Sequence, residues 1–292
     1  MPGKAVADAA GARPQSQTIM SRHPRRMTAQ ETVAILERGS YTAPSGRTVP
    51  ISAALGRAVR GTVLYRPDEL DRLLADLPSG RPGTRIEVTG ETTLAAARRL
   101  RVPGGAAPLA LNFASAKNPG GGFLNGAHAQ EEGLARSSGL YPSLLEAREY
   151  YDFHRARGDL LYSDHMIYSP SVPVFRDDAG RLLEDPYEVA FVTSPAPNRG
   201  AIRDPGKAAL IPGVLAVRAR KVLAVALAHA HRRLVLGAWG CGVFRNDPSE
   251  VAGAFAAALR DEFAGRFEHV VFAVWDPSGG SPRLAAFQRA FA

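Results

Sequence analysis

"APLALNFASAKNPGGGFLNGAHAQEEGLARSS", Ala107 to Ser138, carries a strand, a glycine turn and a helix start in one run. "APLALNFA" is nearly all apolar, as a strand must be when helices cover both faces of its sheet. Gly120, Gly121 and Gly122 break that pattern, and a helical segment follows from about Gln130. A strand leading through a glycine loop into a helix is the unit from which layered α/β domains are built. In such sheets ligands sit outside the carboxyl ends of the strands.

The same rhythm extends in both directions. "RIEVTG" from Arg85 reads as a strand and "ETTLAAARRL" as a helix. Downstream, "PSLLEAREYYDFHRA" is expected as one helix, with Pro142 in its first turn. "DHMIYSPSVPVFRDDAGRLLE" reads as strands around an Asp-Asp-Ala-Gly turn, and "EVAFVTSPAP" as a further strand. The long helix "GVLAVRARKVLAVALAHA", the strand "RRLVLGAWG", the helix "PSEVAGAFAAALRDEF", the strand "HVVFAVWD" and the helix "SPRLAAFQRAF" complete the chain. Upstream, "TAQETVAILERG" is expected to start at a Thr28 cap, with Glu31 completing a capping box and Gly39 stopping it. "YTAPSGRTVPI" reads as a hairpin and "PDELDRLLADL" as a short helix. Residues 1–26 are small, polar and basic without periodicity, as in a disordered tail. The alternation predicts an α/β fold with a largely parallel sheet and an N-terminal helical extension.

The totals exclude several classes. In 292 residues, 36 are basic and 28 acidic, a net charge of +8 that favours anionic partners. No helix-turn-helix, zinc finger or RNP pattern supports specific nucleic-acid recognition. No apolar run reaches the length of a membrane span, and no compact apolar segment suggests a secretory signal. Cys241 is the sole cysteine, which excludes an internal disulfide framework and fits a reducing, cytoplasmic setting.

Three strand-end loops are expected on one rim: "NFASAKNPGGG", "VTSPAPN" and "LGAWGCGVFRNDP". Consecutive glycines expose backbone N–H groups that nest anions, and a helix start behind them adds to the effect. With Gly240 and Gly242 in the last loop, two glycine turns could take the two halves of a diphosphate. A plain turn between strand and helix accounts for either loop alone. Neither is a P-loop or a GxGxxG fingerprint. Glu131 and Glu132 point about 100° apart on a helix, so they do not face each other as most glycosidase acids do. One carboxylate is expected at a reacting bond and the other on a hydroxyl; a solvated pair at a helix start is the competing reading.

Other candidates are weaker. The seven histidines show no zinc spacing, and no metal or cofactor is expected. Cys241 lacks a nearby base and reads as a small residue in a tight loop. Tyr162, Tyr168 and Trp239 could stack on a planar ligand, and each suits a core role equally well.

GGG and QEE, separated by the seven residues Phe123 to Ala129, resemble the signature of the poly(ADP-ribose) glycohydrolases. "GCGVFRND" is similar to the second diphosphate loop of the bacterial-type members, and "TSPAPN" and "TAQETVAILERGSY" extend the resemblance from about residue 27 onward. The resemblance implies a three-layer α/β/α macro domain over residues 85–292, with residues 27–84 as an accessory segment. It implies cleavage of the ribose–ribose O-glycosidic bond of poly(ADP-ribose), free or on ADP-ribosylated proteins, with ADP-ribose as product. Glu132 takes the place of the catalytic acid and Glu131 that of the residue holding ribose hydroxyls. Gly120, Gly121, Gly122, Gln130, Gly240, Cys241 and Gly242 fall in the ligand loops, and Val243 and Phe244 beside the terminal ribose; Asn118 could touch a ribose, and Thr193, Ser194 and Asn198, on the third strand-end loop, could help enclose the adenosine half. A monomer is expected. An ADP-ribose reader and a hydrolase of mono-ADP-ribosylated proteins are the competing functions.

Overall fold

The computed structural model of the chain describes residues 21–78, 80, 83–276 and 281–292. In chain order the elements are α1 (Arg22–Arg38), β1 (Ser40–Thr42), β2 (Thr48–Pro50), α2 (Ser52–Arg60), β3 (Val63–Tyr65) and α3 (Pro67–Ala75). Next come β4 (Arg85–Thr89), α4 (Thr93–Arg99), β5 (Leu109–Phe113), a 3-10 turn (Phe123–Asn125), α5 (Gln130–Ser137), α6 (Leu140–Glu146) and α7 (Arg148–Ala156). They are followed by β6 (Met166–Arg176), β7 (Leu182–Ser194), α8 (Pro205–Ala209), α9 (Ile211–Ala228), β8 (Arg233–Leu236), α10 (Pro248–Arg260), β9 (His269–Ala273) and α11 (Pro282–Ala290).

Seven strands form one sheet in the order β3-β6-β7-β5-β8-β9-β4. The run β7-β5-β8-β9-β4 is parallel, and β6 is antiparallel to both of its neighbours. Side chains alternate faces along a strand, so β5 and β7 feed two cores at once. Leu109, Leu111, Ala190 and Val192 meet Leu215 and Val222 of α9 and Phe255 of α10. Ala110, Val189 and Phe191 meet Leu94, Leu134, Leu144 and Tyr150 from α4, α5, α6 and α7. Helices therefore cover both faces, which is why the inner strands read as continuous apolar runs.

The expected sheet, hairpin and most helices are present, with three differences. The first helix begins at Arg22, not Thr28, so the tail boundary drawn at residue 26 falls inside it; residues 1–20 of that tail lie outside the described residues. Thr28 bonds back to Pro24 O at 3.0 Å as an interior residue, and no side-chain cap forms. The single helix expected from Pro142 is two, α6 and α7, meeting at Ala147. The segment before Arg85 contributes more than its pattern suggests: β3 adds an edge strand by pairing with β6, and α3 packs on α9. Three residues are too short for a periodicity to register, and their partner lies about a hundred positions away. Gly39 ends α1 as expected, in the left-handed region at φ +70°. Among the described residues no helix is long and apolar enough to cross a membrane.

Candidate active site

The site is built where β5 ends. Its pairing with β8 covers only Leu109 and Ala110, which leaves Leu111 O and Phe113 N without strand partners on that side. Gln130 fills the gap. Its Oε1 accepts from Phe113 N at 2.9 Å, and its Nε2 donates to Leu111 O at 2.8 Å and to Thr93 Oγ1 at 3.1 Å. The carboxamide acts as a short extension of the missing strand and pins the start of α5 to the sheet. Gln130, expected as a ligand contact, thus has its polar atoms engaged with β5 and α4.

Pinning α5 there carries Glu131 inward and Glu132 toward the cleft. Glu131 is 3% exposed. Its Oε2 accepts from Ser115 N at 2.6 Å and its Oε1 from Asn112 Nδ2 at 3.3 Å, and the Gly120 N–H is also directed at it. Asn112 is itself buried and donates to Thr193 Oγ1 at 3.1 Å. Burial pushes the Glu131 carboxyl up to about 8, and the neighbouring Glu132 adds to the rise against the lowering by its hydrogen-bond donors. Glu132 is half-buried, and its Oε1 accepts from Gly122 N at 3.0 Å.

The triglycine turn is occupied by these carboxylates. Gly120 N–H serves Glu131, Gly121 N donates to Asn118 O at 2.9 Å, and Gly122 N serves Glu132. Gly120 and Gly121 have φ of +68° and +61°. A Cβ on Gly121 would press into Glu132 Oε1 and lie 3.2 Å from Glu131 Oε2, so both acids converge on a point that only glycine leaves open. Two of the three amides expected to meet a diphosphate thus hold the acids in this structure, and the third closes the turn on Asn118 O.

The second loop differs. Gly240 takes φ +71° with Asn246 packed against it; Asn246 N donates to Gly240 O at 3.0 Å and Asn246 Nδ2 to Pro197 O at 2.8 Å. The N–H groups of Gly242, Val243 and Phe244 make no hydrogen bond among the described residues. Three successive amides on this rim are thus left available to an anion. Val243 is 77% exposed, and Phe244 is half-buried with its ring 5.9 Å from that of Tyr162.

A cavity of about 580 Å³ lies between the loops, within the range of small-molecule sites. Asn118, Gly121, Gly122, Gln130, Glu131, Glu132, Gly240, Gly242, Val243 and Phe244 all line it. Gly120 and Cys241 stand just outside its wall. Burial pushes the Cys241 thiol up to about 12, so it is no thiolate at neutral pH. Thr193 and Ser194 are not in the wall. β7 continues through both, paired with Asn112 and Phe113, and they are fully buried. Trp239 and Tyr168 are core residues: Trp239 donates to Ser194 O at 3.0 Å, and Tyr168 stacks on His229 at 3.5 Å. The aromatic side chains in the wall are Phe113, His128, Phe244 and Trp275. Trp275, Asn112, Ser115 and Arg136 carry no local signal, because their place depends on chain segments that meet only in the fold.

The family described as microbial-type PARG, catalytic domain, matches residues 29–177. The poly(ADP-ribose) glycohydrolase of Thermomonospora curvata is 65% identical, covering 92% of this chain and 100% of its own, with a TM-score of 0.89. Its structure with the inhibitor ADP-HPD is 66% identical over 92% and 99% of the chains, TM-score 0.86. The Deinococcus radiodurans enzyme in complex with ADP-ribose is 52% identical over 81% of this chain and 96% of its own, TM-score 0.78. No curated protein sequence matches.

Proposed function

Because the chain belongs to the microbial-type poly(ADP-ribose) glycohydrolase family, we propose that Glu132 is the acid with which it cleaves its polymer. The protein is a glycosidase that hydrolyses the ribose–ribose O-glycosidic bond and releases ADP-ribose. The observation that carries the assignment of the acid is the Gly122 N–H bond to Glu132 Oε1, at 3.0 Å, on the cavity wall. It leaves the other carboxylate oxygen for the substrate.

In this mechanism Glu132 enters protonated and gives its proton to the leaving ribose 2′-oxygen. The glycosidic bond breaks with oxocarbenium character at C1″. Glu132, now ionised, takes a proton from the attacking water, which restores the acid and completes ADP-ribose. Glu131, in the cavity wall beside Glu132, holds ribose hydroxyls. The diphosphate rests on the amides of Gly242, Val243 and Phe244, near enough to the distal ribose to favour its developing positive charge. Phe244 and Val243 border that ribose, and Asn118 reaches its hydroxyls.

We take residues 85–292 as a macro domain carrying this chemistry and residues 27–84 as an accessory segment. The protein is assigned to the cytoplasm on its single cysteine and is taken to act as a monomer on poly(ADP-ribose) and ADP-ribosylated proteins, without a cofactor.

The test is ADP-ribose release from poly(ADP-ribose) and from a mono-ADP-ribosylated protein, by the wild type and Glu132→Gln. Release from the polymer is expected, with Glu132→Gln slower by about 10²–10⁴-fold yet still binding ADP-ribose. Near-normal turnover by Glu132→Gln removes the acid assignment. Release from the mono-modified protein alone removes the polymer as substrate.

A further inference from the structure

Arg136 is 5% exposed and lines the cavity, yet no carboxylate ion-pairs with it among the described residues. Buried guanidinium groups are costly to desolvate and are ordinarily matched by an anion. Burial lowers its pKa to about 10, and Arg25 of α1 pushes the same way while Glu132 opposes.

Its bonds explain why it is there. Arg136 Nη1 donates to Ala127 O at 2.7 Å, and Nη2 lies 3.5 Å from His128 Nδ1. Ala127 N donates to Gly122 O at 3.1 Å, and Gly122 N donates to Glu132 Oε1 at 3.0 Å. Glu132 and Arg136 are four residues apart on α5, hence neighbours on one face. The bonds therefore close a ring: helix to Arg136, to Ala127, to Gly122, to Glu132 and back to the helix. Gly122 fits tightly within it, since a Cβ there would come 2.9 Å from Ala127 Cβ. Behind the ring, Thr32 of α1 donates to Arg136 O at 2.6 Å.

We infer that Arg136 is a positioning residue for the reaction: it locks the triglycine turn onto α5, so that the Gly122 amide holds Glu132 at the reacting bond. Arg22 and Arg25 of α1 hold the outer side of the segment between GGG and QEE through Asn125 O and Gly126 O, at 3.1 and 2.8 Å, and Arg136 ties its inner side to α5. The inference rests on the acid assignment to Glu132. It requires that loss of Arg136 slow the chemical step while leaving the ligand's own contacts intact, because the amides of Gly242 to Phe244 lie on the other loop.

The test compares Arg136→Met and Arg136→Lys with the wild type and Glu132→Gln, using poly(ADP-ribose) turnover, ADP-ribose binding by calorimetry and thermal melting. Arg136→Met is expected to lose about 10²-fold in kcat, the scale of an ångström-sized misplacement. KM and the Kd for ADP-ribose should stay within about threefold, since uniform binding is untouched. Arg136→Lys keeps the charge and one donor and should recover roughly tenfold of that loss. If Arg136→Met does not fold, Arg136→Lys alone carries the test, with kcat expected about tenfold below wild type at unchanged Kd. A folded Arg136→Met with wild-type kcat overturns the inference. So does a loss confined to KM, or an Arg136→Lys no better than Arg136→Met, or, where only it folds, one at wild-type kcat. Normal turnover by Glu132→Gln would instead strike the acid assignment, so the two failures are distinguishable.

Discussion

Gly122 N–H meets Glu132 Oε1 at 3.0 Å, and this bond joins the two halves of the GGG and QEE pair. A glycine turn is usually read as an anion nest for a ligand. Here two of its three amides are taken by carboxylates of the same protein, which fixes the acids before any substrate arrives. Preorganisation of this kind contributes to rate and not to ground-state affinity.

Gly121→Ala tests that arrangement. The residue has φ +61°, and its Cβ would push directly into the Glu132 carboxylate. Turnover of poly(ADP-ribose) should fall about 10²-fold while the Kd for ADP-ribose changes little. An equal loss in binding and turnover would mean that Gly121 serves the ligand and not the acid.

Glu131 gives a pH signature in stability. Burial pushes its carboxyl up to about 8 in the fold, against an ordinary value of 4.5 for the unfolded chain. Between those limits the folded protein keeps a proton that the unfolded chain releases. Stability from this group is full below about pH 4.5, declines as pH rises toward about 8, and then levels off. Glu131→Gln imitates the neutral form and removes that decline. Thermal melting from about pH 5 to about pH 8 should fall more steeply for wild type than for Glu131→Gln. Parallel curves would show that Glu131 is ionised in the fold.

Gly240 and Gly242 separate the demands on the second loop. At Gly240, φ is +71° and a Cβ would strike Asn246 and Ala196; at Gly242 it would meet nothing within 4 Å, and φ is not positive. Gly240→Ala should cost about 1–3 kcal/mol in backbone strain and weaken ADP-ribose binding as Asn246 is displaced. Gly242→Ala should melt and bind as wild type does, because the amide is what the loop supplies there. Weakened binding by Gly242→Ala with unchanged melting would show that the ligand needs the space of the missing Cβ as well. Calorimetry and melting on both variants read out the contrast.

Much of the fold was legible because it is written in local pattern. Apolar runs of strand length, helical periodicity, the Gly39 stop and the Asp-Asp-Ala-Gly turn each act within a few residues of chain. Two glycine loops at strand ends and an acid pair on a helix start were likewise visible in sequence, which located the cleft. The sequence by itself thus determined the layers, the rim and the two acids. The fold alone decided how the polar groups are distributed among partners. Gln130 completes β5 because β8 pairs with only part of that strand. Thr193 and Ser194 are buried because β7 extends past its apolar run beside Asn112 and Phe113. The first glycine loop faces inward and the second outward because α5 brings carboxylates to one and not the other. Each of these is a competition among donors and acceptors for a few available partners, and its outcome depends on distances that exist only after distant segments have packed.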